Sequence, residues 1–172
     1  MRKPRELVEG ASYHVFARAN RQEMIFVTAE IKDLFLDTVR KAKRKFRFSI
    51  NNFCIMGNHF HMIIKPLDSY DLSRIMQWIL SMFAREYNKK FGYTGHVWYD
   101  RFSSKAIRSF HQFLLTFLYI ANNPVKAGIV RAATDYKYNG ITYFQKGKLS
   151  ILERPPNKFL ITVISHLNHN RR

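Results

Sequence analysis

The stretch 47-RFSINNFCIMGNHFHMIIK-65 decides the fold that this sequence predicts. It contains two runs rich in β-branched and aromatic residues, 47–56 and 59–65, separated by a tight-turn signal around Gly57. Side chains alternate across a strand, so His59 and His61 project together from one face of the second run. The stretch therefore predicts an antiparallel hairpin that carries two imidazoles on one face.

The flanking sequence supplies two helices and two further strands. Apolar spacing indicates these elements: a strand over 12–18, a helix over 29–45, a helix over 72–91 and a strand within 97–107. The order β-α-β-β-α-β predicts an α+β fold, the ferredoxin-like split βαβ arrangement, with an antiparallel sheet and its helices on one face.

An added helix is expected over 110–123, and it carries Tyr119. Ser109 and Gln112 have capping-box spacing at its start, and Pro124 is expected to end it. After Gly128 the sequence predicts irregular structure. We expect one domain over 1–145 and a C-terminal extension over 146–172 that packs on the domain or trails from it. Pro155-Pro156 predicts a turn in that extension, and Arg171-Arg172 a disordered electrostatic aid.

The charge balance indicates a polyanionic partner. The 172 residues include 29 Lys and Arg against 12 Asp and Glu, a net charge of +17. A charge that far from zero opposes compaction unless a polyanion shares the surface, and it is typical of nucleic-acid-binding proteins. No predicted helix is strongly basic on one face and apolar on the other, which argues against a membrane partner.

The single cysteine and the start of the chain limit the cellular compartments that we expect for this protein. Cys54 excludes an internal disulfide, and its apolar neighbours predict a buried, inert thiol. Met1-Arg-Lys-Pro-Arg-Glu leads into no apolar signal region, so we expect a cytoplasmic, nucleoid-associated protein of a bacterial-type cell.

Four residues form a candidate active site. His59 and His61 can converge on one divalent metal ion, and Asn123 lies one helical turn after Tyr119, about 40° around the helix. A phenol and an amide could then face the two imidazoles. In a protein this basic, that set suggests an enzyme that cuts DNA and holds the end on tyrosine. The residue types alone leave other readings open: packed strand histidines, a core tyrosine and a helix-capping asparagine.

Three segments resemble the single-tyrosine transposases of the HUH superfamily, and most closely their REP-associated tyrosine transposases. The segments lie in consistent order between about residues 10 and 145: Gly57-Asn-His-Phe-His-Met-Ile-Ile64, Trp98-Tyr-Asp-Arg-Phe102 and Tyr119-Ile-Ala-Asn-Asn-Pro-Val-Lys-Ala-Gly128. The resemblance implies that His59 and His61 are metal ligands, Tyr119 the nucleophile and Asn123 the third protein ligand. It also implies a ferredoxin-like core.

The implied reaction is metal-dependent cleavage and strand transfer of single-stranded DNA through a 5′-phosphotyrosine. A site with two imidazoles and an amide suits Mg²⁺ or Mn²⁺. A neutral phenol is a weak nucleophile, so the metal or nearby cations must favour the phenolate. The resemblance also implies short hairpin substrates, bound by a monomer or a homodimer.

Basic and aromatic residues near the predicted site are candidate DNA contacts. They are Arg18, Arg21, Lys65, Trp98, Arg101, Lys105, Arg108 and Lys126. The alternative function is a non-enzymatic single-stranded nucleic-acid-binding module, a degenerate transposase on the same fold. A replication initiator or relaxase of the same superfamily and a hydrolytic metal phosphodiesterase are further rivals.

Overall fold

The computed structural model describes residues 8–68, 71–153, 158–159 and 162–163, which contain one four-stranded antiparallel sheet. The strands are β1 Ser12–Arg18, β2 Phe48–Ile55, β3 His59–Pro66 and β4 Ser103–Ile107. The helices are α1 Ala29–Lys45, α2 Leu72–Phe91, α3 Phe110–Ala121, α4 Asn123–Lys126 and α5 Gly140–Gln145. Within the described ranges, no helix combines the length and apolar character needed to cross a membrane.

The sheet order β2-β3-β1-β4 confirms the predicted ferredoxin-like arrangement. Strand β1 pairs antiparallel with both β3 and β4, and β2 pairs antiparallel with β3. This order brings β1 beside β3, although the whole of α1 and β2 separates them along the chain. The central strand pair therefore combines residues that are distant in sequence.

One face of the sheet is closed by α1 and α2 through an aromatic core. Phe60 of β3 contacts Phe35 of α1, with ring centroids 4.6 Å apart, and Phe83 of α2 lies 5.4 Å from the same ring. All three side chains are fully buried. The Thr28 hydroxyl caps α1 by accepting from the Ile31 amide. Apolar burial thus fixes α1 and α2 where the hydrophobic spacing predicts them.

Helix α3 lies on the opposite face and ends earlier than predicted. The Ser109 hydroxyl accepts from the Gln112 amide at its start, as the capping spacing predicts. The helix ends at Ala121, and Asn123 is the first residue of the separate short helix α4. Proline has no N–H to donate to the Ile120 carbonyl, so α3 is interrupted, whereas the first turn of α4 tolerates Pro124.

The segment after Gly128 is more regular than predicted. It forms a 3₁₀ turn at Ala133–Asp135 and then α5, whose first turn is capped by the Asn139 side chain at the Ile141 amide. A six-residue helix is too short to show an apolar period, which is why the sequence does not indicate it.

The same segment runs along the outer side of β2. The Ile55 amide donates to the Tyr138 carbonyl, and the Glu153 amide donates to the Ile50 carbonyl. Ile151 is fully buried, so part of the predicted extension packs on the domain. The division at residue 145 stays a prediction, and Pro155-Pro156 and Arg171-Arg172 lie outside the described residues.

Candidate active site

The pairing of β1 with β3 assembles a polar patch on the α3 face of the sheet. Phe16 lies opposite His61, and Arg18 lies opposite His59. Because side chains two residues apart share a face, His14 joins the same patch. The structure thus confirms that the two predicted histidines share a face, and it surrounds them with residues of β1.

Helix α3 places Tyr119 over these histidines within one chain. The Tyr119 ring centroid is 5.5 Å from that of His61 and 5.8 Å from that of His14, both in edge-on geometry. The side chain is 42% exposed, so the phenol is open to an incoming ligand. The Lys126 ammonium lies 5.0 Å from the centre of the Tyr119 ring. A tyrosine and a cation therefore border the histidine patch.

The two predicted ligand histidines are oriented by different neighbours. Their ring centroids are 5.2 Å apart and their planes nearly perpendicular, at 86°. The Nδ1 atom of His59 is 2.7 Å from the Asn58 Oδ1. The Nδ1 atom of His61 is 2.9 Å from the Nε2 of His14. With both Nδ1 atoms engaged, Nε2 is the atom of each ring that a metal would take.

His14 is the site residue that sequence reasoning missed. Its ring centroid lies 5.1 Å from that of His61, and its hydrogen bond holds the His61 ring on the side away from the metal-binding atom. The signal for it was present: His14 alternates with Phe16 and Arg18 in a strand whose intervening residues are apolar. Only the strand register, however, places it against His61.

Burial keeps the imidazoles neutral. It lowers the pKa of His61 to about 3, and the nearby His14, His59 and Arg18 add to the effect. Burial, followed by the charge of Arg18, lowers the pKa of His59 to about 4. Burial and then Lys105 also lower the pKa of His14. Neutral imidazoles have the free lone pairs that metal binding requires, so the donor chemistry fits a metal ion.

Asn123 completes the predicted set from the start of α4. Its side-chain nitrogen donates to the Tyr119 carbonyl at 3.1 Å, which leaves the amide oxygen as its metal-capable atom. Over the described ranges, no cluster of three or more His, Cys, Asp or Glu side chains is arranged to hold a metal ion. A metal here would therefore rely on two imidazoles, the Asn123 amide and oxygens of the substrate.

These side chains line one open cleft of about 520 Å³. Its lining consists of His14, Phe16, Arg18, His59, His61, Ser103, Ser104, Lys105, Tyr119 and Asn123. A second cleft of about 350 Å³ shares His14, Lys105 and Tyr119 with the first and continues along α3 past Gln112 and Thr116. The two clefts adjoin through these shared residues and together form a groove along α3.

The predicted DNA contacts divide between this groove and other surfaces. Arg18 and Lys105 line the cleft, and Lys126 borders it. Lys65 lies six residues from His59 along β3, about 20 Å away at the usual strand rise. Arg21 sits in the exposed 3₁₀ turn Asn20–Gln22, and Arg108 is exposed just before α3.

Trp98 and Arg101 belong to a different cavity of about 740 Å³ between α2 and the segment before β4. The Trp98 ring packs within 5.8 Å of Phe60, and its Nε1 donates to the Leu80 carbonyl. Core packing therefore accounts for Trp98, while the neighbouring Tyr99 is 73% exposed.

Comparisons with known proteins agree with this architecture. The structure of a REP-associated tyrosine transposase bound to a REP hairpin superposes with a TM-score of 0.72 at 22% identity, covering 89% of this chain and 88% of that chain. A Deinococcus radiodurans protein described as a transposase gives a TM-score of 0.50 at 18% identity, covering 71% and 97%. Curated protein sequences yield no significant match.

The family comparison covers the elements that build the cleft. The model of the family described as "Transposase IS200 like" matches residues 7–123, which run from β1 through Tyr119 to Asn123. The match spans more than half of the chain and includes both histidines of β3. This chain therefore belongs to the IS200-like transposase family.

Proposed function

We propose that this protein is a metal-dependent endonuclease and strand transferase that cleaves single-stranded DNA through Tyr119. The observation that carries the proposal is the position of Tyr119. Its ring centroid is 5.5 Å from that of His61, and the ring lies over the histidine patch of its own chain. The membership in a transposase family supports the same chemistry.

The reaction forms one bond and breaks another at a single phosphorus atom. The Tyr119 oxygen attacks the phosphorus and the bond from phosphorus to the 3′ oxygen breaks. The phenol gives up its proton to solvent, and the released 3′ oxygen takes one up from solvent to become a 3′-OH. The product carries its 5′ phosphate on tyrosine. This link retains the energy of the broken bond, so a 3′-OH can attack it and restore or transfer the strand.

The chain's own residues orient and neutralise the phosphate. Arg18 and Lys105 line the cleft and supply positive charge along the path of the strand. His59, His61 and Asn123 would hold a divalent cation, Mg²⁺ or Mn²⁺. When bound, that ion supplies Lewis-acid stabilisation of the negative charge on the scissile phosphate. The exposed ring of Tyr119 leaves the phenol free to approach the phosphorus.

We further propose a hairpin with a single-stranded flank as the substrate. The similar solved transposase is bound to a REP hairpin, and the groove here continues from the cleft along α3. The groove suits an extended strand beside the site, while a paired stem would lie outside it. Because Tyr119 lies over the histidines of its own chain, one protomer can supply the whole site.

The test is covalent capture of a labelled hairpin oligonucleotide. Protein, Mn²⁺ and a hairpin with single-stranded flanks are incubated, with label at the 5′ or 3′ end, and the products are separated under denaturing conditions. We expect the wild-type protein to retain the fragment downstream of the cut, which is the fragment that the 3′ label marks. Tyr119→Phe should retain none.

Tyr99→Phe is the matched control, because Tyr99 is an exposed tyrosine outside the cleft. Equal products from wild type and Tyr119→Phe would contradict the tyrosine mechanism. Binding of the oligonucleotide without any adduct would favour the non-enzymatic binding module.

A further inference from the structure

Two buried asparagines bind the backbone of the tyrosine-bearing helix. The Asn52 Nδ2 donates to the Phe117 carbonyl at 3.0 Å, and the Asn139 Nδ2 donates to the Ala121 carbonyl at 2.7 Å. Both asparagines are fully buried. The two carbonyls lie two residues before and two residues after Tyr119, so the hydrogen bonds bracket the nucleophile.

Asn52 reaches α3 because β2 contains a bulge. Ile50 pairs with Ile64, but Asn52 pairs with Ile63, so the register shifts by one residue between them. A regular strand would place Asn52 opposite Met62, on the face covered by α1 and α2. The bulge turns its amide towards α3 instead, a local use that bulges commonly serve beside functional sites.

Asn139 replaces a donor that the interrupted helix lacks. The last carbonyls of a helix have no intrahelical partner, and α3 ends at Ala121. The Asn139 Nδ2 supplies a partner for that terminal carbonyl, while its Oδ1 accepts from the Ile141 amide and starts α5. One buried side chain thus joins the end of α3 to the beginning of α5.

Gly140 allows α5, which follows Asn139, to pack closely against Asn52. A Cβ on Gly140 would lie 2.2 Å from the Asn52 Oδ1 and 3.1 Å from the Phe53 amide nitrogen. That oxygen already accepts from the Phe53 amide at 2.9 Å. Only glycine permits α5 to pack this closely against β2, which seats Asn139 beside Ala121.

We infer that Asn52 and Asn139 are positioning residues that set the place of Tyr119 over the histidines. The Tyr119 side chain is 42% exposed, so packing around the ring alone does not fix its location, and the position of the helix matters. A buried hydrogen bond on each side of it limits rotation and sliding of α3 on the sheet. Its catalytic consequence rests on the proposed function; the restraint on the helix does not.

The experiment compares Asn139→Ser and Asn52→Ala with two matched controls. Serine keeps a capping oxygen for the Ile141 amide but is too short to reach Ala121. The first variant therefore removes the bond to Ala121, together with the longer 3.4 Å bond from the same Nδ2 to the Ala133 carbonyl. Asn51→Ala removes a neighbouring amide at the bulge, where the side chain is partly exposed. Val39→Ala weakens the core on the other face, in α1.

Hydrogen exchange measures the restraint without any cleavage. Both asparagine variants should speed amide exchange in α3 by about fivefold or more, the effect expected when each removes one buried hydrogen bond to that helix. Val39→Ala should instead speed exchange in α1, and Asn51→Ala should leave α3 unchanged. Unchanged exchange of α3 in both asparagine variants would overturn the inference.

Single-turnover capture of the labelled hairpin measures the consequence for Tyr119. At a temperature where every variant is folded, the rate of adduct formation at saturating DNA should fall roughly tenfold to a hundredfold, because small misplacements of a nucleophile are costly. The affinity for DNA should stay within about twofold, because the cations that line the groove are unchanged.

A wild-type rate in both asparagine variants, with a wild-type adduct present, would overturn the positioning role and leave the proposed function standing. An absent adduct in wild type itself would refute the proposed function, and hydrogen exchange would still decide whether the asparagines hold α3. An equal loss of rate in Val39→Ala would show that general stability, rather than position, is responsible.

Discussion

The two faces of the sheet are built on opposite principles. On the face covered by α1 and α2, Phe35, Phe60 and Phe83 pack in mutual contact, and burial alone explains their presence. On the α3 face, His59 and His61 occupy strand positions that apolar residues would fill at lower cost in desolvation. The comparison teaches that neighbouring residues of β3 serve different ends: one face is filled by aromatic packing, and the other carries the polar patch of the proposed active site.

The largest effect is expected from truncation of His61, which tests whether the α3 face serves catalysis rather than packing. We expect His61→Ala to abolish covalent adduct formation, because one of two imidazoles that would hold the metal is lost. The protein should stay folded, and most of its affinity for hairpin DNA should remain, since the cations of the groove are unchanged. Gel capture of the adduct, circular dichroism and a DNA titration check the three parts.

Phe60→Ala is the matched variant one residue away on the other face. Phe60 is fully buried against Phe35 and Trp98. Its truncation should cost about 3–5 kcal/mol of the free energy of unfolding, measured by urea denaturation. A His61→Ala variant that loses as much stability as Phe60→Ala would show that the histidine is a packing residue.

His14 allows a finer test, because it is expected to act through His61. We expect His14→Phe to weaken Mn²⁺ binding by roughly tenfold to a hundredfold, the usual effect of removing a partner that orients a ligand histidine. His14→Gln, which keeps a hydrogen-bonding group, should restore part of the affinity. Mn²⁺ titration followed by electron paramagnetic resonance measures both. Equal Mn²⁺ affinity in wild type and His14→Phe would show that His14 does not contribute to metal binding.

The smallest expected effect is in the dependence of stability on pH. The folded-state pKa of His61 is about 3, below the ordinary 6.5. As pH falls below about 6.5, the unfolded chain binds a proton that the folded chain does not, so stability is lost progressively towards pH 3. Between pH 7 and pH 5, His61→Gln should lose about 2 kcal/mol less stability than wild type.

Urea unfolding at the two pH values measures this difference, with His96→Gln as the control. His96 lies outside the cleft, on the rim of the cavity beside Trp98. If wild type and His61→Gln lose the same stability, the histidine is not held neutral by the fold.

The face of the sheet covered by α1 and α2 could be predicted from sequence in nearly all respects. The bounds of β1, α1 and α2 follow from apolar spacing and capping residues, because burial against a sheet requires that spacing. The sequence also predicts that Tyr119 faces the histidines, and the structure places the Tyr119 ring centroid 5.5 Å from that of His61. Local pattern and recognisable motifs were sufficient for both.

The remaining features depend on register, which a single sequence does not display. His14 meets His61 only because β1 pairs with β3, and Asn52 faces α3 only because a bulge shifts its position in β2. Asn139-Gly140 has the composition of a turn, yet α5 begins here because the Asn139 Oδ1 caps the Ile141 amide while its Nδ2 donates to the distant Ala121 carbonyl. Such long-range contacts decide which hydrogen-bond partner a buried polar side chain has.

The cover that residues 136–153 provide over β2 has a consequence for truncated forms of the protein. The matched family segment ends at Asn123, before the residues that bind the backbone of Ile50 and Ile55. A fragment cut there would present β2 as an exposed edge strand of apolar composition, a ready template for pairing with another copy. We therefore expect such a fragment to aggregate, so that its catalytic activity could not be measured.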